Sequence, residues 1–170
     1  MNKNFVIKPI SIPTSVQGTG SRPITMSGQQ KIRKQDMIIA TDENIQKLID
    51  EIYYNALNNN YTKVDLNHID VSKVTNMNYL FETWDDIKEI DVSEWDVSNV
   101  TSMCGMFEDS SFNGDISEWD VSNVIDMKYM FYGSIFNGDI SSWNVSNVKN
   151  MQYMFKYSFL EKNPPSWYYE

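Results

Sequence analysis

The sequence predicts a short α/β repeat solenoid, a small parallel sheet of stacked units joined by short helical turns and closed at its N-terminal end by one helix. Three observations carry that prediction. An apolar motif recurs at 24-residue intervals. Within each copy its spacing changes from one suited to a strand to one suited to a helical turn. A single amphipathic segment precedes the first copy.

The chain is 170 residues long, 41% hydrophobic and 14% aromatic, enough for one domain with a core rich in Met, Phe, Tyr and Trp. Residues 1–40 stand apart. They hold Pro9, Pro13, Gly18, Gly20, Pro23 and Gly28 among Ser, Thr and Gln, and read as a flexible or loosely docked leader. This leader is basic: Lys3, Lys8, Arg22, Lys31, Arg33 and Lys34 face Asp36 alone, leaving the rest of the chain 8 basic and 22 acidic residues. Residues 41–64 form the N-terminal capping helix and its connection. Thr41-Asp42-Glu43 offers an N-cap and first-turn carboxylates, and Ile45, Leu48, Ile49, Ile52, Tyr53 and Leu57 follow at helical spacing.

Residues 65–170 comprise four repeats and a truncated fifth. Segments 116–131 and 140–155 are near copies; 92–107 lies one interval earlier, and 66–81 precedes that by 26 residues, with Ile69 in the Trp slot. Trp167 follows Trp143 by 24 residues, where Pro164-Pro165 bars another regular strand. The pattern is I-x-x-W-x-V-x-x-V-x-x-M-x-x-M-F. Its opening matches the strand of leucine-rich repeats, so a strand is expected there, and after the capping pairs Ser98-Asn99, Ser122-Asn123 and Ser146-Asn147 a short helical turn. One such unit cannot bury its own apolar face, so stacking must supply the core.

Segment 65–81, followed by units of the form Phe-Asn-Gly-Asp-Ile-Ser-x-Trp-x-Val-Ser-Asn-Val, resembles the BspA-like leucine-rich repeat family of bacterial surface and mycoplasma-type proteins. The resemblance covers Thr41 to about Trp167. It implies a parallel-sheet solenoid without catalytic residues, used for adhesion or other protein contacts. Residues 1–21 lack the uninterrupted apolar run of a secretory signal, and no membrane segment is visible, so a cytoplasmic place is expected; the resemblance implies a cell-surface or secreted place as the alternative.

No catalytic constellation emerges. The single Cys104 excludes an internal disulfide, and His68 is the sole histidine, so nucleophile–base pairing has little to work with. Both residues fall in slots expected to face solvent. Asp91, Asp115 and Asp139 recur just before the motif and read as turn-forming rather than calcium ligands, and no metal or cofactor is expected. Asn60, Asn99 and Asn144 begin glycosylation sequons, but the latter two fall among capping residues.

The most suggestive feature is an acidic ladder: Asp70, Asp96, Asp120 and Asn144 share one strand slot, while His68, Glu94, Glu118 and Ser142 share another. Stacked at ~4.8 Å, such carboxylates repel unless a cation offsets them. The expected function is therefore a non-enzymatic protein-protein interaction module with Asp70, Glu94, Asp96, Glu118, Asp120 and Asn144 meeting a basic protein surface. One alternative is an intracellular inhibitor, of phage or mobile-element type, that blocks a nucleic-acid-binding enzyme by acidic mimicry; another is a surface adhesin. Direct contact with nucleic acid or membrane is disfavoured by the acidic charge.

Overall fold

The computed structural model describes residues 37–169. Along the chain come β1 (Ile38–Thr41), α1 (Ile45–Asn58), β2 (Lys63–Asp65), β3 (Ile69–Lys73) and β4 (Glu89–Asp91), with a short 3-10 turn at Phe159–Glu161. The strands form two small parallel pairs, β1 with β3 and β2 with β4. Because Ile38–Thr41 is paired and Ala40 is fully buried, the boundary drawn after residue 40 falls inside the fold. Residues 1–36 of the basic leader lie outside the described residues.

Helix α1 buries Ile45, Ile49, Ile52 and Ala56, one stripe at three- and four-residue spacing. Tyr53 stacks on Trp84 at 4.6 Å and ties the helix to the first repeat. The helix starts later than its sequence suggests. Thr41 ends β1, residues 42–44 form a turn, and the N-cap is Asn44, whose Oδ1 accepts the Thr41 N–H at 2.8 Å. Asp42 turns instead to the first repeat, where its carboxylate accepts the N–H groups of Thr75 and Asn76.

Beyond β4 the repeats are joined along the Asn-Met segment instead of the Trp segment. Parallel bridges link Asn76, Ser102, Asp126 and Asn150. From the first repeat, the N–H groups of Met77, Tyr79, Phe81 and Thr83 donate to the carbonyls of Ser102, Cys104, Met106 and Glu108, each at 2.9 Å. The next two junctions repeat this, Met103 to Asp126 through Asp109 to Tyr132, then Met127 to Asn150 through Gly133 to Lys156. In the repeats beyond β4 the ladder thus runs along the segment expected to turn, whereas in the first repeat β3 lies on the expected strand. Three-residue spacing does produce turns, such as Leu80 N–H to Met77 carbonyl, but their third residues are left-handed: Tyr79, Gly105, Tyr129 and Tyr153, then Thr83, Asp109, Gly133 and Tyr157. A left-handed third position, as in a type II turn, undoes the right-handed curl, so the segment advances and keeps alternate N–H groups free for its neighbour.

In the Trp segment the repeats are further apart and side chains bridge them. Trp95 and Trp119 stack at 6.5 Å and Trp143 and Trp167 at 6.4 Å, whereas Phe81, Phe107, Phe131 and Phe155 stack at 5.5, 5.5 and 5.8 Å. The indole N–H of Trp95, Trp119, Trp143 and Trp167 reaches the carbonyl of Leu66, Val92, Ile116 and Ile140 in the preceding repeat. Asn99, Asn123 and Asn147 do the same with their amides, donating to the carbonyls of Ser72, Ser98 and Ser122 at 2.7–2.8 Å. These asparagines are staples between repeats and not the local caps their position suggests.

The core between the two segments is a stack of aromatic and thioether layers. Phe112 and Phe136 sit 4.0 and 4.5 Å from Phe107 and Phe131. Ser110 and Ser134 are buried, but each hydroxyl donates to a carbonyl one repeat back, Trp84 and Ser110, and accepts the N–H two residues on. Among the described residues no buried side-chain polar atom is left without a partner.

Candidate protein-binding site

Glu94, Asp96, Glu118 and Asp120 project from the Trp segment, the arm of wider spacing, outside the strands; of the acidic residues expected on this face, Asp70 alone lies on a strand, β3. Asp96 and Asp120 each follow a buried Trp and precede a buried Val, so alternation turns them outward; both are exposed, as are Glu94 and Glu118. Asn144 is exposed in the same slot and Asp70 half-buried in the first repeat.

Position in this slot is fixed by local hydrogen bonding. The side-chain oxygen of Asp70, Asp96, Asp120 and Asn144 accepts the N–H of Ser72, Ser98, Ser122 and Ser146 at 3.0–3.2 Å. Ser98 adds its hydroxyl at 2.6 Å. These Asx turns hold the carboxylates in place, and hydrogen bonds from Ser122 keep the Asp120 carboxyl below the usual carboxylate range. The aspartates therefore do two things at once: they shape the turn and present charge. Glu94 and Glu118 have no such tie among the described residues. Among the described residues the ion pairs are Lys47 with Glu51 and Lys63 with Glu89, and neither involves Glu94, Asp96, Glu118 or Asp120.

Asp115 and Asp139 are turn formers of the same kind, held below the usual range by Ser117 and Ser141. Among the described residues no group of three or more His, Cys, Asp or Glu is placed to hold a metal ion. His68, expected in solvent, is half-buried, and burial pushes its imidazole down. Cys104, also expected in solvent, is half-buried beside the Tyr79 hydroxyl, 3.5 Å from Sγ. The amide of the Asn99 sequon is engaged with Ser72, and an open depression of about 410 Å³ runs past it, lined by Asn99, Thr101, Asn123, Ile125, Asn147 and Lys149.

A second acidic group escaped the sequence reading. Glu82 and Glu108 occupy one slot 26 residues apart, next to Asp109, and the Glu108 carboxyl is pushed up by burial and then by those two neighbours. Asp85 and Asp86 continue it towards Tyr53, whose hydroxyl is pushed up first by burial and then by both. The signal was present in the Phe-Glu pairs at residues 81–82 and 107–108.

No described helix is long and apolar enough to cross a membrane. No curated protein and no solved structure matches the chain. Residues 48–167, which take in most of α1, the ladder, the Trp staples and both acidic groups, match the family described as Mycoplasma protein of unknown function, DUF285, and the chain belongs to that family.

Proposed function

We propose that the chain is a leucine-rich-repeat-like solenoid acting as a non-enzymatic protein-binding module, with Glu94, Asp96, Glu118 and Asp120 as the centre of a surface that meets a basic protein. The observation that carries this reading is that the two aspartates are held outward by Asx turns on successive repeats, with no ion pair to either among the described residues. Like charges kept fixed and uncompensated raise the local potential, which a cationic partner lowers on contact.

A second reading rests on the 22 acidic against 8 basic residues outside residues 1–40: the acidic surface occupies the nucleic-acid channel of an enzyme and inhibits it. The resemblance to surface repeat proteins supports adhesion as a third, and the compartment follows from which of them holds.

Glu94→Gln, Asp96→Asn, Glu118→Gln and Asp120→Asn combined removes four charges while preserving the turns, because Asn144 already makes the same bond in its slot. In affinity capture from host lysate, partners retained by the parent at low salt should be lost by this variant and weakened by added salt, which screens over ~8 Å at physiological strength. Equal retention by both proteins would exclude the strip. Competition by added DNA or RNA would select the inhibitor reading.

A further inference from the structure

The ladder has a direction, and its last rung is unfilled. At each junction N–H groups of one repeat donate forward to carbonyls of the next. In the fourth repeat the corresponding donors are Met151, Tyr153, Phe155 and Tyr157. Tyr157 N–H is taken by the Glu161 carboxylate at 3.2 Å. Among the described residues the N–H groups of Met151, Tyr153 and Phe155 have no acceptor, and the Lys149 carbonyl, whose counterparts at Thr75, Thr101 and Ile125 each accept from the following repeat, has no donor. The described residues beyond 157 cover the core, with Trp167 on Trp143 and Tyr168 against Phe155, and apart from the Glu161 carboxylate offer this row no acceptor.

The surroundings of the row differ in charge from the rest of the fold. Lys128, Lys149, Lys156 and Lys162 are the only basic residues after residue 100. Lys156 lies 4.9 Å over the Tyr153 ring and 5.3 Å over that of Tyr157, and Tyr129 stacks on Tyr153 at 5.6 Å. Tyr129, Tyr153 and Tyr157 are held at φ near 60°, a conformation unfavourable for a bulky side chain; Gly105 fills the Tyr129 and Tyr153 slot in the second repeat, and Gly133 the Tyr157 slot in the third. Aromatic rings with cations over them, beside unpaired backbone donors, make a surface for an acidic polypeptide.

We propose that this C-terminal edge binds an extended, acidic segment of a partner protein as a further parallel rung, its carbonyls on Met151, Tyr153 and Phe155 and its carboxylates near Lys149 and Lys156. A second copy of the chain fits less well. Two such rows facing each other set donor against donor, and the opposite rim is occupied by α1 and the Asp42 carboxylate. Residues 1–36 carry six basic residues and one acidic, the wrong sign for the lysines.

The probe is a synthetic peptide with the sequence of residues 100–111 and Cys104→Ser, since Ser102, Cys104, Met106 and Glu108 are natural acceptors of this ladder and Glu108 and Asp109 supply charge. In amide hydrogen exchange on the full chain, Met127, Tyr129 and Phe131 should exchange about 100-fold more slowly than Met151, Tyr153 and Phe155, and the peptide should slow the latter three. Lys156→Glu in the protein, or Glu108→Lys with Asp109→Lys in the peptide, should abolish that slowing. Equal protection of both rows in the free monomer overturns the proposal. So does protection that disappears when residues 1–36 are deleted, which would identify the leader as occupant, or protection that appears only with dimer formation in light scattering. Slowing by the lysine peptide as strong as by the acidic one would overturn its charge preference.

Discussion

The carboxylate of Asp42 accepts hydrogen bonds from the Thr75 N–H at 2.7 Å, the Thr75 hydroxyl at 2.6 Å and the Asn76 N–H at 3.1 Å. In the Thr75 slot of later repeats, Thr101, Ile125 and Lys149 donate their N–H to the carbonyl one repeat earlier, each at 2.8 Å. Thr75 has no earlier repeat. Asp42 stands in for it, and so closes the N-terminal edge of the ladder.

Asp42→Ala should therefore lower stability by about 1 kcal/mol, with Asp42→Asn milder because it keeps one acceptor oxygen. The Thr75 hydroxyl holds this carboxyl below its ordinary value of 3.8; burial opposes it, and the backbone bonds from Thr75 and Asn76 add to the lowering. A lowered carboxyl contributes stability that is fully present above the ordinary value and is lost as pH falls through the folded one. Urea melts should show parent and Asp42→Ala differing at pH 7 and converging towards pH 3; a constant gap would contradict the assignment.

Trp119 has two contributions that substitution separates. Trp119→Ala should cost on the order of 3–5 kcal/mol from lost burial. Trp119→Phe keeps a ring in the column but leaves the Val92 carbonyl, 3.2 Å from the indole nitrogen, without its donor, for a loss of about 1–2 kcal/mol. Chemical denaturation followed by circular dichroism resolves the order, and a Trp119→Ala protein as stable as the parent would mean that the column does not stabilise the fold.

Within the acidic strip, the glutamates and aspartates should separate in stability. Glu94→Lys and Glu118→Lys should stay within about 0.5 kcal/mol of the parent, as exposed side chains without a partner do. Asp96→Lys and Asp120→Lys should each cost about 1 kcal/mol, because Ser98 and Ser122 lose their acceptor. Identical thermal midpoints for the two classes would show that the Asx turns contribute nothing.

Tyr79 reports on Cys104. Its hydroxyl is pushed up to about 12, chiefly by the hydrogen bond and the charge of Cys104, with burial and Glu108 adding to it. A raised tyrosine favours the folded state until pH passes its ordinary value near 10, and that contribution fades as pH approaches 12. Ultraviolet titration should find, beside the raised Tyr53 and Tyr132, a late-ionising tyrosine that moves down in Cys104→Ala; an unchanged titration curve would remove the coupling.

Much of this architecture is legible in sequence, and the exceptions share a cause. The Phe column at 81, 107, 131 and 155 and the Trp slots follow from spacing alone, because a periodic core must repeat its side chains. The location of the ladder does not. Spacing of three reads as a helical turn, and only the left-handed backbone at Tyr79, Tyr129 and Tyr153 converts it into an edge that pairs, a conformation that tyrosine does not advertise. Asp42 reads as a first-turn carboxylate and Asn99 as a local cap because side-chain preference is local, whereas their partners lie 33 and 27 residues away. The outward slots of Asp96 and Asp120 were readable; their bonds to Ser98 and Ser122 matter more to the turn than charge counting implied.

Since Met103 donates to Asp126 and Met127 to Asn150, removing residues 116–139 would bring Met103 onto Asn150 and Trp95 beneath Trp143 with the pattern intact. The 24-residue unit is thus interchangeable, and the two ends, Asp42 with α1 and the Trp167 tail, are indifferent to how many units lie between them. Unequal exchange between near-identical stretches of its gene would lengthen or shorten this protein in whole steps, changing its reach without requiring a new fold.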